Sequence, residues 1–333
     1  VQYGDVDWEM DDLDEQDAVC PAWPRIGSPL VNNRFPYLIA TAAANYFAAQ
    51  YWTLPFLPAP PGFLRIPRGG RVVFEGEYPY ARYFAFHPND FETNNFPTLR
   101  DVDLDPEPGS VNPRREASGA GVSRRYTAQL VNAATPNTVP ANTVYVGESV
   151  SGGFNPAVFL LYRIYAADAG ALPPNSAGVR LPAVTIYDAD GEITERHEAC
   201  DPYPTPEAVV VDRSRMPAFP VPDHRSVFDA GGVNTEDNWG LPVTLLGNRD
   251  VLYLAFFYTR KAGDVFVVRA RKLSTPSRRA GIPLHEEGLE ARLFTVCGYN
   301  FWNGRANDCV IDEDVPTDAE GAYTLVVSDE AHR

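Results

Sequence analysis

Two stretches of this chain, with matching residues 210 positions apart, read as copies of one another: Tyr80-Ala-Arg-Tyr-Phe-Ala-Phe86 and Glu290-Ala-Arg-Leu-Phe-Thr-Val296. The residues downstream of each copy also match, because Asp101, Leu104, Glu107 and Gly109 return as Asp312, Val315, Asp318 and Gly321 with one insertion. Arg82 precedes Asp101 by 19 residues and Arg292 precedes Asp312 by 20, and each run leads into a Tyr-Thr strand, at Tyr126 or at Tyr323. A repeat that keeps alternation, spacing and turn chemistry together implies one folding unit built twice. It constrains the architecture and names no reaction.

The residue balance agrees with an all-β chain. The sequence has 31 prolines, 25 glycines, 17 tyrosines and 18 phenylalanines but only 2 methionines, which favours many short strands joined by tight turns. At 333 residues it is long enough for two cores. The expected fold is two jelly-roll-like antiparallel β-sandwich units from an internal duplication, with few short helices. The boundaries are an acidic arm over residues 1–19, a first unit over 20–199, a proline-rich linker over 200–239 and a second, incomplete unit over 240–333. One alanine-rich stretch, residues 39–50, has the composition of a helix, with a strand as the alternative if packing overrides propensity.

Strands are expected at Arg71–Glu75, Ala81–Phe86, Tyr126–Val131, Thr143–Val146, Phe159–Tyr165 and Leu181–Tyr187, with a hairpin turn at Asp188-Ala-Asp-Gly191. In the second unit they are expected at Val251–Tyr258, Asp264–Arg269, Leu289–Val296 and Tyr323–Val327. The first copy continues past its Tyr-Thr strand into further strands, whereas the second reaches Arg333 six residues after Val327. A sandwich lacking terminal strands exposes backbone groups and an apolar face, so something should cover it. In the acidic arm, Asp5-Val-Asp-Trp-Glu-Met10 alternates so that Val6, Trp8 and Met10 share one side of an extended strand. The arm is either a solvated terminus or a strand donated to a sheet edge in this subunit or a neighbouring one.

A formal net charge of −16 opposes nucleic acid and anionic membrane surfaces. No apolar run approaches the roughly 20 residues of a membrane span. The chain begins at Val1, as expected if a leader has been removed. The four cysteines, Cys20, Cys200, Cys297 and Cys309, have no C-x-x-C spacing, which favours disulfides in an oxidising compartment over zinc or free thiols. Cys297 and Cys309 flank the turn region of the second repeat, leaving Cys20 and Cys200 to pair. The protein therefore reads as secreted, periplasmic or on the cell surface.

Chemical motifs are weak singly. Gly147-Glu-Ser-Val-Ser151 lacks the last glycine of a nucleophile elbow, and the five histidines have no metal-ligand spacing. The aspartates at 101, 103 and 105, and at 312, 314 and 318, are of the hard oxygen type that calcium takes, but neither run keeps an EF-hand pattern. The stronger reading is structural: Arg82 and Arg292 sit inside apolar strands, where a guanidinium needs a carboxylate, and Asp101 and Asp312 recur at constant lag behind them. The loop Gly298–Asn307, holding Tyr299, Phe301, Trp302, Asn303 and Arg305, is polar, aromatic and glycine-flanked, and is the expected place for a ligand. No catalytic residue, metal or cofactor is predicted.

Gly76-Glu-Tyr-Pro-Tyr-Ala-Arg-Tyr-Phe-Ala-Phe86, Leu99-Arg-Asp101, Pro108-Gly-Ser-Val-Asn-Pro113, Phe159–Tyr165 with Leu181-Pro182, Cys309–Asp314 and Tyr323–Ser328 together carry a resemblance. They resemble a group of exported bacterial proteins related to the domain-of-unknown-function families built from duplicated jelly-roll β-sandwiches. The resemblance implies the two-sandwich fold and carries no reaction. Members continue beyond the last strand with a proline-tryptophan segment and a further strand, which this sequence lacks. The expected function is a non-catalytic structural or assembly protein, a subunit of a multimer completed by strand exchange. A carbohydrate-binding or adhesive module and a carboxylate-dependent hydrolase are the alternatives. Self-association is the expected partnership, with glycan as a further possible ligand.

Overall fold

A computed structural model describes residues 23, 25–26, 44–48, 63–92, 94–117, 121–168, 171, 176–201, 250–251, 265–277, 284, 286–299 and 306–328. Regular structure among them is almost all β. The strands are β1 (Arg25–Ile26), β2 (Ala44–Ala48), β3 (Phe63–Leu64), β4 (Arg71–Glu77), β5 (Ala81–Asn89), β6 (Leu99–Arg100), β7 (Arg125–Val131) and β8 (Thr143–Tyr145). They continue with β9 (Val158–Ala167), β10 (Ala183–Tyr187), β11 (Ile193–His197), β12 (Val265–Arg271), β13 (Thr295–Tyr299), β14 (Ala306–Ile311) and β15 (Ala322–Ser328). A 3-10 turn covers Asp312–Asp314. No helix among the described residues is long and apolar enough to cross a membrane.

A six-stranded sheet runs β1-β2-β9-β5-β6, with β3 also on β9, and a five-stranded sheet runs β11-β10-β4-β7-β8. All their pairings are antiparallel except β7 with β8. Alternation builds the second sheet: Val72 and Phe74 of β4 are buried while Arg71, Val73 and Glu75 between them are not. They meet Tyr126, Ala128 and Leu130 of β7 and Val184 and Ile186 of β10 in one core with Phe84, Phe86, Leu160, Tyr162 and Ile164 of the facing sheet. Ring pairs cross the gap, Phe74 to Phe86 at 5.2 Å and Phe84 to Tyr126 at 5.5 Å between centroids. Trp23 closes the core against Phe74, Phe86 and Tyr162 and donates its indole N–H to the Pro182 carbonyl at 2.7 Å.

The alanine-rich stretch is a strand over residues 44–48. Pairing Ala44 with Tyr165 through Ala48 with Leu161 gives each end of this segment a ladder partner on β9, and that tertiary pairing overrides alanine's helical preference. Strand β5 is buried along its whole length, so its sheet is covered on both faces.

Beyond the sandwich, β12 pairs with β15 and β13 with β14, each as a two-stranded sheet. Cys297 and Cys309 oppose one another across β13 and β14 and are disulfide-bonded. Cys200 is also disulfide-bonded, and Cys20 lies outside the described residues. The hairpin turn at Asp188-Ala-Asp-Gly191 and the turn at Asp318-Ala-Glu-Gly321 that leads into β15 are built alike: each aspartate carboxylate accepts the N–H groups two and four residues on. Each turn closes on a glycine in the left-handed region, at φ 84° and 76°.

Contacts recur at matching positions around the two similar stretches. Asp101 donates its N–H to the Phe84 carbonyl and Asp312 donates to that of Phe294, both at 3.0 Å. Ala85 and Phe86 pair with Arg100 and Leu99 as Thr295 and Val296 pair with Ile311 and Val310. Gly76 stands opposite Tyr126, and Ala270 opposite Tyr323. The Tyr78 hydroxyl donates to the Leu104 carbonyl at 2.7 Å, and at the matching place the Lys272 ammonium donates to the Val315 carbonyl at 3.1 Å. The correspondence thus extends upstream to β4 and β12, where the side chains have diverged.

Candidate functional site: a crossed ion-pair seam

Arg82 points from β5 among buried residues, where its charge needs a partner out of water. The partner comes from the other copy. Arg82 Nη1 donates to both oxygens of Asp312, at 2.7 and 2.5 Å, and Nη2 lies 2.9 Å from Glu313 Oε1. The exchange is reciprocal, since Arg292 Nη1 donates to Asp101 Oδ1 at 2.5 Å. Pairing of each arginine with the aspartate behind it in its own copy, the simplest expectation from the lag, is not what forms. Partners are traded across 230 and 191 residues of sequence.

Asp101 is fully buried and serves three donors. Its Oδ2 accepts from Arg114 Nε at 3.0 Å and from the Phe84 N–H at 3.1 Å, besides the Arg292 bond to Oδ1. Asn112 donates to the carbonyls of Asp101 and Leu104, fixing the turn that aims the carboxylate. Burial pulls the Arg114 guanidinium down to about 10, with Asp101 opposing that shift, so it stays charged at neutral pH. One pole of the seam thus holds two arginines and one aspartate, the other one arginine and two carboxylates. Their formal charges, +1 and −1, cancel only when both copies are in place.

A second, part-buried network adjoins the first. The Tyr83 hydroxyl donates to Asp250 Oδ2 at 2.8 Å and lies 3.0 Å from His87 Nε2, while Thr98 Oγ1 lies 3.3 Å from His87 Nδ1. With the Tyr83 proton given to Asp250, Nε2 carries the histidine proton and Nδ1 accepts from Thr98. Arg292 stands 5.9 Å from the Tyr83 ring centroid, linking the two networks. Burial first, and the Arg163 charge second, push His87 well below its ordinary pKa and hold it neutral.

Acidification therefore lowers stability. The unfolded chain takes up a proton near pH 6.5 that folded His87 refuses, so stability is lost as pH falls below about 6.5, by up to about 1.4 kcal/mol per pH unit. Urea unfolding of wild type and His87→Gln between pH 7.5 and 5 checks this; equal slopes for the two proteins contradict it.

The candidate calcium ligands of the first run each face an arginine: Asp101 faces Arg114 and Arg292, Asp103 faces Arg100, and Asp105 faces Arg115. In the second run Asp312 faces Arg82 and Asp318 faces Arg269. Among the described residues no group of three or more His, Cys, Asp and Glu is placed to hold one metal ion. Ser149 and Ser151 lie in an exposed loop, hydrogen-bonded to each other. Tyr299 ends β13, but its side chain, the residues Phe301, Trp302, Asn303 and Arg305, and the arm residues Val6, Trp8 and Met10 lie outside the described residues. Sequence reasoning missed Arg114, Glu313 and the Tyr83, His87 and Asp250 network. The spacing of Tyr83 and His87, which puts both on one face of a strand, was the available signal.

Among the described residues, the seam and sheets define a nearly all-β arrangement with a charge-compensated internal contact. No known family profile matches the chain, and no curated protein matches it. A crystal structure of the VPA0106 protein from Vibrio parahaemolyticus aligns with a TM-score of 0.37 and 13% identity, over 91% of this chain and 82% of that one.

Proposed function

We propose that this is an exported, non-catalytic structural or assembly protein, made of two jelly-roll-like units from an internal duplication and working as a subunit of a multimer. The observation that carries this reading is the exposed face of the two-stranded sheet formed by β12 and β15. Val265, Val267 and Val326 are 42%, 55% and 58% exposed, neighbours on one side of a two-stranded sheet. Apolar side chains grouped on a sheet surface mark a face that another chain covers. The seam supports the same reading, because the charged residues of the repeat engage one another and join the halves. The disulfides support export.

Light scattering on the purified protein tests this directly. A multimer is expected, reduced to single-chain mass by Val267→Asp with Val326→Asp. A wild-type chain that stays at single-chain mass across a hundredfold range of concentration contradicts the proposal.

A further inference from the structure

Matched positions in the two copies are not equally covered. With Tyr126 matched to Tyr323 by their places opposite Gly76 and Ala270, the β7 residues Gln129, Leu130 and Val131 correspond to Val326, Val327 and Ser328 of β15. In the first copy, β8 runs parallel beside those three, pairing Thr143, Val144 and Tyr145 with them. Leu130 is 0% exposed there and Val144 3%. In the second copy no described strand takes that place, and Val327 is 38% exposed. Among the described residues, nothing takes at β15 the place that β8 takes at β7.

We propose that the free edge of β15 is a strand-acceptor site, and that residues 5–10 of a second copy of this chain fill it, parallel to β15 as β8 is to β7. This rests on the assembly reading and adds the donor, the acceptor and the direction. Asp5-Val-Asp-Trp-Glu-Met10 has the required pattern. Its apolar side, Val6, Trp8 and Met10, extends the layer of Leu325 and Val327, and its acidic side joins the sheet face that carries Val265, Val267 and Val326 together with Arg269 and Arg271, which pair with Asp318 and Glu290. On the assembly reading a second copy is the donor, and Val326 and Val327, 58% and 38% exposed, are the side chains it covers. Between the donor strand and Trp23, the 13 residue steps from Met10 span up to roughly 45 Å when extended. Each subunit carries both the donor segment and the acceptor edge.

The test uses two full-length variants. A donor-dead chain carries Val6→Asp, Trp8→Asp and Met10→Asp; an acceptor-dead chain carries Val327→Lys. Each alone should run at single-chain mass in light scattering, and an equimolar mixture should give a two-chain species. A donor-dead chain that assembles like wild type overturns the choice of donor. Wild-type protein at single-chain mass, with amide protection of 326–328 that the donor-dead substitutions abolish, shows the arm docking on its own edge and overturns the exchange between copies. Should Val327→Lys lose its unfolding transition, a synthetic peptide of residues 3–12 titrated onto the donor-dead chain decides. Saturable binding supports the acceptor site, and absence of binding contradicts it. A wild type that assembles while the peptide fails to bind leaves the assembly reading standing and removes only this inference.

Discussion

Replacing Asp101 with alanine lowers the free energy of unfolding by about 3–5 kcal/mol. The carboxylate is fully buried, and its removal leaves three donors facing an empty acceptor position: Arg292, Arg114 and the Phe84 N–H. Arg114 suffers most, because its side chain is 2% exposed and cannot turn to water, whereas Arg292 is 30% exposed and can. Asp101→Asn, which keeps one acceptor oxygen and loses the charge, should fall between. Urea unfolding monitored by tryptophan fluorescence measures all three proteins. An Asp101→Ala variant within about 0.5 kcal/mol of wild type would place the carboxylate outside the energetics of the fold.

Trp23→Ala is expected to cost a similar amount, about 3–5 kcal/mol, for a different reason. The indole is 2% exposed and touches rings from both sheets: Phe74 on β4, Phe86 on β5 and Tyr162 on β9. Removing it opens a cavity where the sheets face each other, walled by aromatic rings that cannot collapse inward without leaving their rotamers. The Pro182 carbonyl also loses its donor. Trp23→Phe fills much of the space and forfeits only the hydrogen bond and part of the area, so it should lose clearly less. A thermal midpoint for Trp23→Ala equal to that of wild type contradicts this packing account.

Much of the strand framework could be read from residue order because burial on one face writes itself as alternation. Val72 and Phe74 show it in β4, and Tyr126, Ala128 and Leu130 in β7. Strand β9 was legible for another reason: Phe159–Tyr165 is a continuous apolar run with one arginine, the pattern of a strand covered on both faces. Strand β14 was not, since Ala306-Asn-Asp-Cys carries little strand propensity and is held by its register with β13 and the Cys297 bridge. For the site, the repeat located Arg82, Asp101, Arg292 and Asp312. Their pairing was hidden because a constant lag between arginine and aspartate is equally compatible with contacts inside each copy and contacts exchanged between copies. Periodicity says which side of a strand a charge occupies; which distant segment meets it is decided by how the halves pack.

The crossed pairing is tested most directly by double-mutant cycles on Arg82. Unfolding free energies of Arg82→Ala, Asp312→Ala and the double variant should show a coupling of about 1.5–3 kcal/mol, while the cycle joining Arg82 to Asp101 should close to within about 0.5 kcal/mol. A large coupling between Arg82 and Asp101, with none between Arg82 and Asp312, would contradict the exchange of partners between the two halves.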